Sequence, residues 1–90
     1  MPHVHFTRNL LRFFPDLKEE MVEGSTVAEI IAALDTRYKG LAAYLVDERG
    51  ALRKHVNVFV DNELVKDRVT LADQVDEKTT IHIIQALSGG

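Results

Sequence analysis

The residues with the clearest potential for chemistry are the last two, Gly89 and Gly90, which follow the alternating stretch "IHIIQALS". Glycine has no Cβ atom and adopts backbone angles that are closed to other residues. A glycine pair can therefore enter a narrow channel that side chains would block. The pattern indicates a tail whose carboxylate, on Gly90, is a reactive group, and the alternative is a frayed terminus without a function.

Histidines form the second candidate group. Alternation places all four of them on one outer sheet face, and they are His3, His5, His55 and His82. Neighbouring imidazoles can bind zinc. No carboxylate or cysteine accompanies them at ligand spacing, and polar residues are ordinary on a strand face that meets water. We therefore expect no metal site, and the four histidines are the candidate ligands if one exists.

Other chemistry finds little support in the sequence. There is no cysteine, which excludes disulfides and thiolate sites. No Ser/His/Asp set or paired carboxylates stand out, and a small domain offers little concave surface. We therefore expect a protein that is a substrate of partner enzymes and not an enzyme itself.

Composition indicates one globular domain spanning residues 1–90, because 46% of the residues are hydrophobic and 28% are charged. The net charge of −3, without a basic run, argues against nucleic acid as a partner. No apolar stretch approaches the roughly 20 residues that cross a bilayer, and the start has no secretory pattern. The expected location is the cytoplasm, away from membranes.

The first third of the chain is predicted to form two strands. "PHVHFT" alternates, with Val4 and Phe6 on one face, and "KEEMVEG" is a weaker strand. Between them, "RNLLRFFPDL" is predicted to be a packed loop, because Pro15 cannot donate to a ladder. We expect its apolar residues to cover the open end of the core, the alternative being a partner-binding loop; they are Leu10, Leu11, Phe13 and Phe14.

The clearest helix is "STVAEIIAALDTRYKG". Thr26 and Glu29 have the spacing of a capping box, and Gly40 suits the end of the helix. Apolar residues recur at steps of three and four, which gives a single buried stripe. "LAAYLV" is predicted to form a short helical turn, and "TLADQVDEKTT" a short helical turn followed by a turn.

A hairpin and one last strand complete the prediction. "KHVNVFVDNELV" reads as a hairpin that turns at Asp61-Asn62. "TIHIIQAL" is the last strand, with Ile81 and Ile83 pointing inward. Alternation indicates that one sheet face is covered and the other meets water. The fold class is α+β, a mixed sheet of four to five strands covered on one face by one main helix.

This order of elements resembles the ubiquitin-like β-grasp fold and, more narrowly, the ThiS/MoaD family of sulfur-carrier proteins. The resemblance rests on "TVAEIIAALDTRYKGL", "HVNVFVDNELV" and the terminal "ALSGG". It looks closest to the carriers that serve cysteine or secondary-metabolite synthesis. Members of the molybdopterin branch usually carry a proline-rich approach to the glycines, where this chain has Gln85-Ala86-Leu87.

The resemblance implies a function for the tail. A ubiquitin-activating-type enzyme would use ATP to adenylate Gly90, and a sulfur donor would convert it to a thiocarboxylate that delivers sulfur to an acceptor synthase. Residues 86–90 would be a flexible tail, in which Gly89 enters the partner with Gly90. Contacts outside the channel would come from Ala86, Leu87 and Ser88. The chain itself would bind no cofactor. Two alternatives stay open: a ubiquitin-like modifier conjugated to lysine, and an interaction module with an idle tail.

The outer sheet face supplies a candidate docking patch. In the β-grasp order the last strand lies between the first and third strands, so that Phe59 and Ile84 point outward on adjacent strands. Two large apolar residues on a wet face suggest partner docking, which ubiquitin-like proteins commonly achieve through this face, or a weak homodimer. Acidic residues near the hairpin and the last turn are expected to be a solvated rim, the alternative being that they steer a basic partner; they are Asp61, Glu63, Asp67, Asp73, Asp76 and Glu77.

Overall fold

A computed structural model of the protein describes residues 1–85. Five strands are formed by β1 (His3–Phe6), β2 (Glu20–Met21), β3 (Val56–Val60), β4 (Glu63–Leu64) and β5 (Thr80–Gln85). Three helices are formed by α1 (Arg8–Leu11), α2 (Val27–Arg37) and α3 (Leu41–Leu45). The predictions for Ala86, Leu87, Ser88, Gly89 and Gly90 lie outside the described residues.

All five strands join one sheet in the order β2-β1-β5-β3-β4. The two central strands, β1 and β5, run parallel, whereas every other neighbouring pair is antiparallel. The predicted mixed sheet is thus confirmed, with β5 placed between β1 and β3. The strand β5, which directly precedes residues 86–90 in the sequence, is thus held by a neighbouring strand on each side.

The core lies between α2 and one face of the sheet. Alternate strand residues are fully or almost fully buried, and they come from three strands: Val4, Val56, Val58, Ile81 and Ile83. The predicted stripe of α2 packs in the same cluster through Val27, Ile30, Ile31 and Leu34. Both periodicities, two in the strands and near 3.6 in the helix, therefore meet in one hydrophobic core.

The start of α2 is fixed by the predicted capping residues. The backbone N–H of Glu29 donates to the Thr26 hydroxyl oxygen at 3.2 Å, and the Glu29 carboxylate accepts from the N–H of Ser25 at 2.8 Å. Just before, Gly24 passes so close to the helix that a Cβ atom there would lie 2.9 Å from the Ile30 side chain. The capping hydrogen bonds and the close packing of Gly24 together fix the first residue of the helix at Val27.

The segment after β1 differs from the predicted loop, because residues 8–11 form the short helix α1. Leu10 is fully buried and its carbonyl accepts the N–H groups of Phe13 and Phe14, so one apolar anchor holds the turn. Phe14 packs against the core, whereas 36% of Leu11 and 58% of Phe13 are exposed. The prediction that these residues cover the core is therefore confirmed for Leu10 and Phe14 and wrong for Leu11 and Phe13.

The segment after β4 matches its prediction only in part. The turn before β5 forms, with the Thr79 N–H donating to the Asp76 carbonyl at 3.1 Å, but the path before it is irregular. One turn closes where the N–H of Leu71 donates to the Asp67 carbonyl, but Leu71 has φ of 56° and no helix follows. The Asp67 and Asp73 carboxylates accept backbone N–H groups instead. Side-chain oxygens that bind nearby backbone compete with helix formation, which explains the irregular path.

The β3–β4 hairpin turns as predicted. Asp61 and Asn62 have φ of 50° and 73°, the left-handed values that a two-residue type I′ turn requires. Asp61 also exchanges hydrogen bonds with Thr80: its N–H donates to the Thr80 carbonyl at 2.9 Å and its carboxylate accepts the Thr80 N–H at 2.8 Å. The hairpin thereby holds the start of β5. Among residues 1–85, no helix has both the length and the apolar character needed to cross a membrane.

Candidate functional site

The first part of the site is the root of the tail, at the end of β5. The N–H of Gln85 donates to the Thr7 hydroxyl oxygen at 3.3 Å, and the Gln85 carbonyl accepts from the Asn9 side-chain amide at 2.8 Å. Thr7 is the N-cap residue of α1 and Asn9 lies within α1. The helix that sequence patterns missed therefore fixes the backbone from which residues 86–90 continue.

The Gln85 side chain is held as well. Its amide nitrogen donates to the Tyr44 hydroxyl oxygen at 2.8 Å. The Tyr44 ring in turn contacts two aromatic rings, with centroid distances of 5.0 Å to Phe13 and 5.7 Å to Phe14. The side-chain oxygen of Gln85, Oε1, is buried and has no hydrogen-bond partner among residues 1–85. Buried acceptors are normally satisfied, so this oxygen is an exception among the described residues.

A cavity of about 310 Å³ opens beside the root. Its walls are formed by Ala43, Tyr44, Arg53, His55, Val56 and Gln85. The Arg53 guanidinium is held in place because its Nε–H donates to the Ala43 carbonyl at 3.1 Å. The end of β5 therefore combines a fixed backbone, an aromatic wall and a positive charge.

The second part of the site is the outer sheet face, where the register confirms the predicted placement of Phe59 and Ile84. Phe59 lies opposite His82 and Ile84 lies opposite Asn57, so the two apolar residues are diagonal neighbours on adjacent strands. Both are half-buried, and Leu64, opposite Phe59, is 54% exposed. Leu64 extends the pair, and we call these three residues the outer apolar patch.

Positive charge borders the outer apolar patch. Arg68 donates from Nη1 to the Asn57 side-chain oxygen at 2.8 Å and from Nη2 to the carbonyls of Arg53 and Val56. These bonds hold the guanidinium against the start of β3, at Asn57, which is the residue opposite Ile84. No sequence pattern predicted this contact, because residues 57 and 68 meet only through the return of the loop after β4.

Three of the four histidines meet on the outer face. The His5 and His82 rings stack at a centroid distance of 4.7 Å with planes 13° apart, and His3 and His5 lie 4.3 Å apart. His55 precedes β3 and lies at the Gln85 end of the sheet. Four residues of strand, about 13 Å, separate it from the level of Phe59 and His82. His55 therefore lies apart from the other three histidines, and its predicted place in the group is wrong.

A carboxylate does accompany the histidines, contrary to the prediction. Glu19 places Oε2 2.6 Å from His5 Nδ1 and 4.0 Å from His3 Nε2. The antiparallel register pairs His3 with Met21 and Val4 with Glu20, so the next position brings Glu19 opposite His5. Spacing along the chain could not reveal this contact, since His5 and Glu19 are 14 positions apart and most of the intervening path was predicted as a loop.

The acidic residues near the hairpin mostly hold turns. Hydrogen bonds from the Thr70 hydroxyl and from backbone N–H groups lower the pKa of Asp67 to about 2. The N–H of Lys78 and the Thr79 hydroxyl lower the pKa of Asp76. Asp61 and Asp73 bind backbone N–H groups as well, whereas Glu63 and Glu77 are exposed. Their main role in the fold is thus local, with Glu63 and Glu77 on the solvated rim.

A polar contact on the covered face fastens β2 to α2. Glu20 accepts from Arg37 Nη1 at 2.6 Å and from the Tyr38 hydroxyl. Burial and the bond to Glu20 raise the pKa of Tyr38 to about 12. The Tyr38 hydroxyl and then Arg37 lower the pKa of Glu20. This contact is structural, because it lies across the sheet from the outer apolar patch.

The topology defines the class of protein. A five-stranded mixed sheet with a parallel central pair, covered by one main helix, is the ubiquitin-like β-grasp fold. The sequence profile of the ThiS family matches residues 4–90, almost the whole chain. The chain therefore belongs to the ThiS family, as its resemblance predicted.

Relatives of known name agree with this assignment. The sulfur carrier protein CysO of Mycobacterium tuberculosis is 29% identical over 75 residues, which cover 81% of each chain. Small archaeal modifier protein 3 of Haloferax volcanii is 27% identical over 89 residues, covering 89% of this chain and 96% of the relative. Among solved structures, one from the BexX/CysO complex of Amycolatopsis orientalis is 30% identical, with a TM-score of 0.84 over the full length of both chains.

Proposed function

We propose that this protein is a sulfur carrier whose Gly90 carboxylate becomes a thiocarboxylate. The observation that carries the proposal is the family match, which extends through Gly90 on a confirmed β-grasp fold. A relative that matches most of the chain bears the name sulfur carrier protein. The chain would act as a protein substrate and would bind no cofactor of its own.

The proposed chemistry has two steps, both performed by partners. A carboxylate is a poor electrophile, so its oxygen first attacks the α-phosphorus of ATP and displaces pyrophosphate, leaving an acyl-adenylate on Gly90. A sulfur nucleophile then attacks the acyl carbon and displaces AMP. When the nucleophile is hydrosulfide, loss of its proton leaves the thiocarboxylate directly. When it is a persulfide, a second thiol cleaves the S–S bond and releases the thiocarboxylate together with a disulfide. The thiocarboxylate is a soft nucleophile that passes sulfur to an acceptor synthase. Gly89 and Gly90 contribute by offering no Cβ atom to the partner's channel.

Docking would use the two parts of the site described above. The outer apolar patch would place the adenylating enzyme on the sheet, while the root at Gln85 would direct the tail towards its active site, with Ala86, Leu87 and Ser88 as contacts. The solved relative that comes from a BexX/CysO complex supports a protein partner. The cationic borders at Arg53 and Arg68 would favour an acidic rim on that partner.

Protein modification is the second candidate function, because small archaeal modifier protein 3 also matches most of the chain. Both functions begin with adenylation and differ in the acyl acceptor: sulfur for the carrier, a lysine amine for the modifier. A second copy of this chain on the outer apolar patch, in a weak homodimer, is the alternative to a docked enzyme.

Intact mass spectrometry of the protein purified from its own cells tests the proposal. We expect a form heavier by the difference between one sulfur and one oxygen, located on Gly90 by fragmentation. A chain that lacks Gly90 is the matched control and should never carry this form. Conjugates joined to lysine through Gly90 would favour the modifier, and a working sulfur pathway in cells that express only the shortened chain would refute the carrier.

A further inference from the structure

We propose that His3, His5 and Glu19 form a binding site for a divalent transition-metal ion, with Zn²⁺ as the best match. The site lies on the outer face at the β1–β2 edge of the sheet. None of its residues belongs to the tail or to the outer apolar patch. Its argument rests on register, donor distances and ligand chemistry.

Backbone geometry brings the three side chains together. His3 and His5 are alternate residues of β1 and so share a sheet face. The antiparallel return of β2 places Glu19 on that face, opposite His5. One donor atom from each residue can be chosen so that all three lie within 4.8 Å of one another.

The distances suit a zinc ion after small rotations. Zinc bonds to histidine nitrogen and carboxylate oxygen are about 2.0–2.2 Å long, which in a tetrahedron puts neighbouring donors about 3.3 Å apart. The observed His5–Glu19 distance of 2.6 Å is shorter than this and the His3–Glu19 distance of 4.0 Å is longer. Exposed fractions of 40% for His3, 29% for His5 and 60% for Glu19 leave these side chains room to turn.

The chemistry of the donor set also fits. Two imidazoles and one carboxylate make a three-ligand zinc site whose fourth position is taken by water, and the exposure of Glu19 lets water reach it. The His82 ring stacks on His5 and so holds the plane of that ligand. An ordinary ion pair would account for His5 and Glu19, whereas a shared metal ion would also account for His3, whose Nε2 lies 4.0 Å from the same carboxylate oxygen.

Metal binding at this place would have a structural consequence. The edge strand β2 has only two residues. A metal ion would cross-link Glu19, the residue just before β2, to His3 and His5 of β1. Because the metal binds the folded chain, its binding free energy adds to the stability of the fold. The site shares a cross-strand row with His82 and Phe59, so it lies next to the outer apolar patch.

Calorimetric titration of the untagged full chain with zinc chloride tests the proposal. We expect one ion per chain and a rise in melting temperature that depends on zinc concentration. His3→Gln, His5→Gln and Glu19→Gln should each weaken zinc binding by about tenfold or more, the size of effect seen even for outer-shell partners. His55→Gln is the matched control and should bind zinc like the parent chain.

The contrary outcomes are equally definite. If Glu19→Gln binds zinc as tightly as the parent, or if His55→Gln weakens binding as much as His5→Gln, the proposed ligand set is wrong. Circular dichroism of each variant without metal checks that the fold is intact. Histidine NMR gives a readout that does not need the variants: zinc should shift the ring nitrogens of His3 and His5 and leave those of His55 in place.

Discussion

The two faces of the sheet differ in almost every property, although they are built from adjacent residues. In β5, Ile81 and Ile83 are buried against α2, whereas His82 and Ile84 are half-buried on the outer face. The covered face is a closed apolar core. The outer face gathers imidazoles and an apolar patch that the core does not need. Residues that stabilise the core and residues of the candidate site therefore alternate along the same strands.

Two neighbouring glutamates show the same difference. The Glu20 side chain points to the covered side, where it is 14% exposed and bonds to Arg37 and Tyr38. The Glu19 side chain points outward, where it is 60% exposed and contacts His5. One carboxylate is thus part of the structure that holds β2 to α2, while the other is available to a ligand.

Paired substitutions in β5 test the comparison most strongly. Ile83→Ala should lower the free energy of unfolding by about 2–5 kcal/mol, because it removes buried methyl groups and leaves a cavity. Ile84→Ala should cost about 1 kcal/mol or less, since its side chain is already partly in water. Urea denaturation measures both from the shift in midpoint at constant slope. Equal losses would show that the outer face is part of the core.

The two glutamates give the next largest difference. Glu20→Gln should cost about 1–3 kcal/mol at neutral pH, because hydrogen bonds to a charged group are lost. Glu19→Gln should cost less than about 1 kcal/mol, as for an exposed ion pair without metal. The folded-state pKa of Glu20 is lowered, so its contribution is present above the unfolded-state pKa and disappears as the pH falls.

Denaturation of the Glu20 and Glu19 variants across the acid range supplies the check. The penalty of Glu20→Gln should shrink as the pH falls and the parent chain loses the charged form of Glu20. A penalty that stays constant down to full protonation would mean that packing, and not charge, accounts for the effect of Glu20.

Tyr38 titrates at the opposite end of the pH scale. Folding raises its pKa from 10.0 to about 12, so the folded state holds this proton more tightly than the unfolded state. Its contribution is full below pH 10 and is lost as the pH rises towards 12. Tyr38→Phe should cost about 1 kcal/mol at neutral pH, and the gap to the parent chain should close in alkali. Denaturation at several alkaline pH values measures that gap, and a gap that does not change would contradict the assigned pKa.

Sequence patterns predicted the parts of the fold whose signals are local. The period of two along β1, β3 and β5, the stripe and caps of α2, and the Asp61-Asn62 turn all follow from neighbours in sequence. The failures were α1 and the path after β4. In α1, the buried Leu10 closes a turn within an apolar stretch that shows no helical or strand period. After β4, the Asp67 carboxylate accepts backbone N–H groups where a helical turn was predicted.

The candidate site was only half predictable for a related reason. Phe59 and Ile84 follow from alternation and strand order, which the family resemblance supplied. The contacts of Gln85 with Asn9 and Tyr44, and that of Glu19 with His5, join residues from different elements. Those contacts depend on the register of β2 and the positions of α1 and α3, which no short-range pattern encodes.

Substitutions in the outer apolar patch should cause the smallest change in stability. They sharpen the comparison of the two sheet faces, because we expect their effect on docking to be large. Phe59→Ser and Ile84→Ser should each change the free energy of unfolding by about 1 kcal/mol or less. Each should nevertheless weaken association with the proposed adenylating enzyme by about tenfold, if each residue contributes more than about 1 kcal/mol to the interface. Ala32→Ser, on the exposed side of α2, is the control for a polar substitution away from the sheet. Surface plasmon resonance against the adenylating enzyme measures the association. If both sheet variants bind like the control, the partner uses the root at Gln85 alone, because that region would then be the remaining described surface next to the tail.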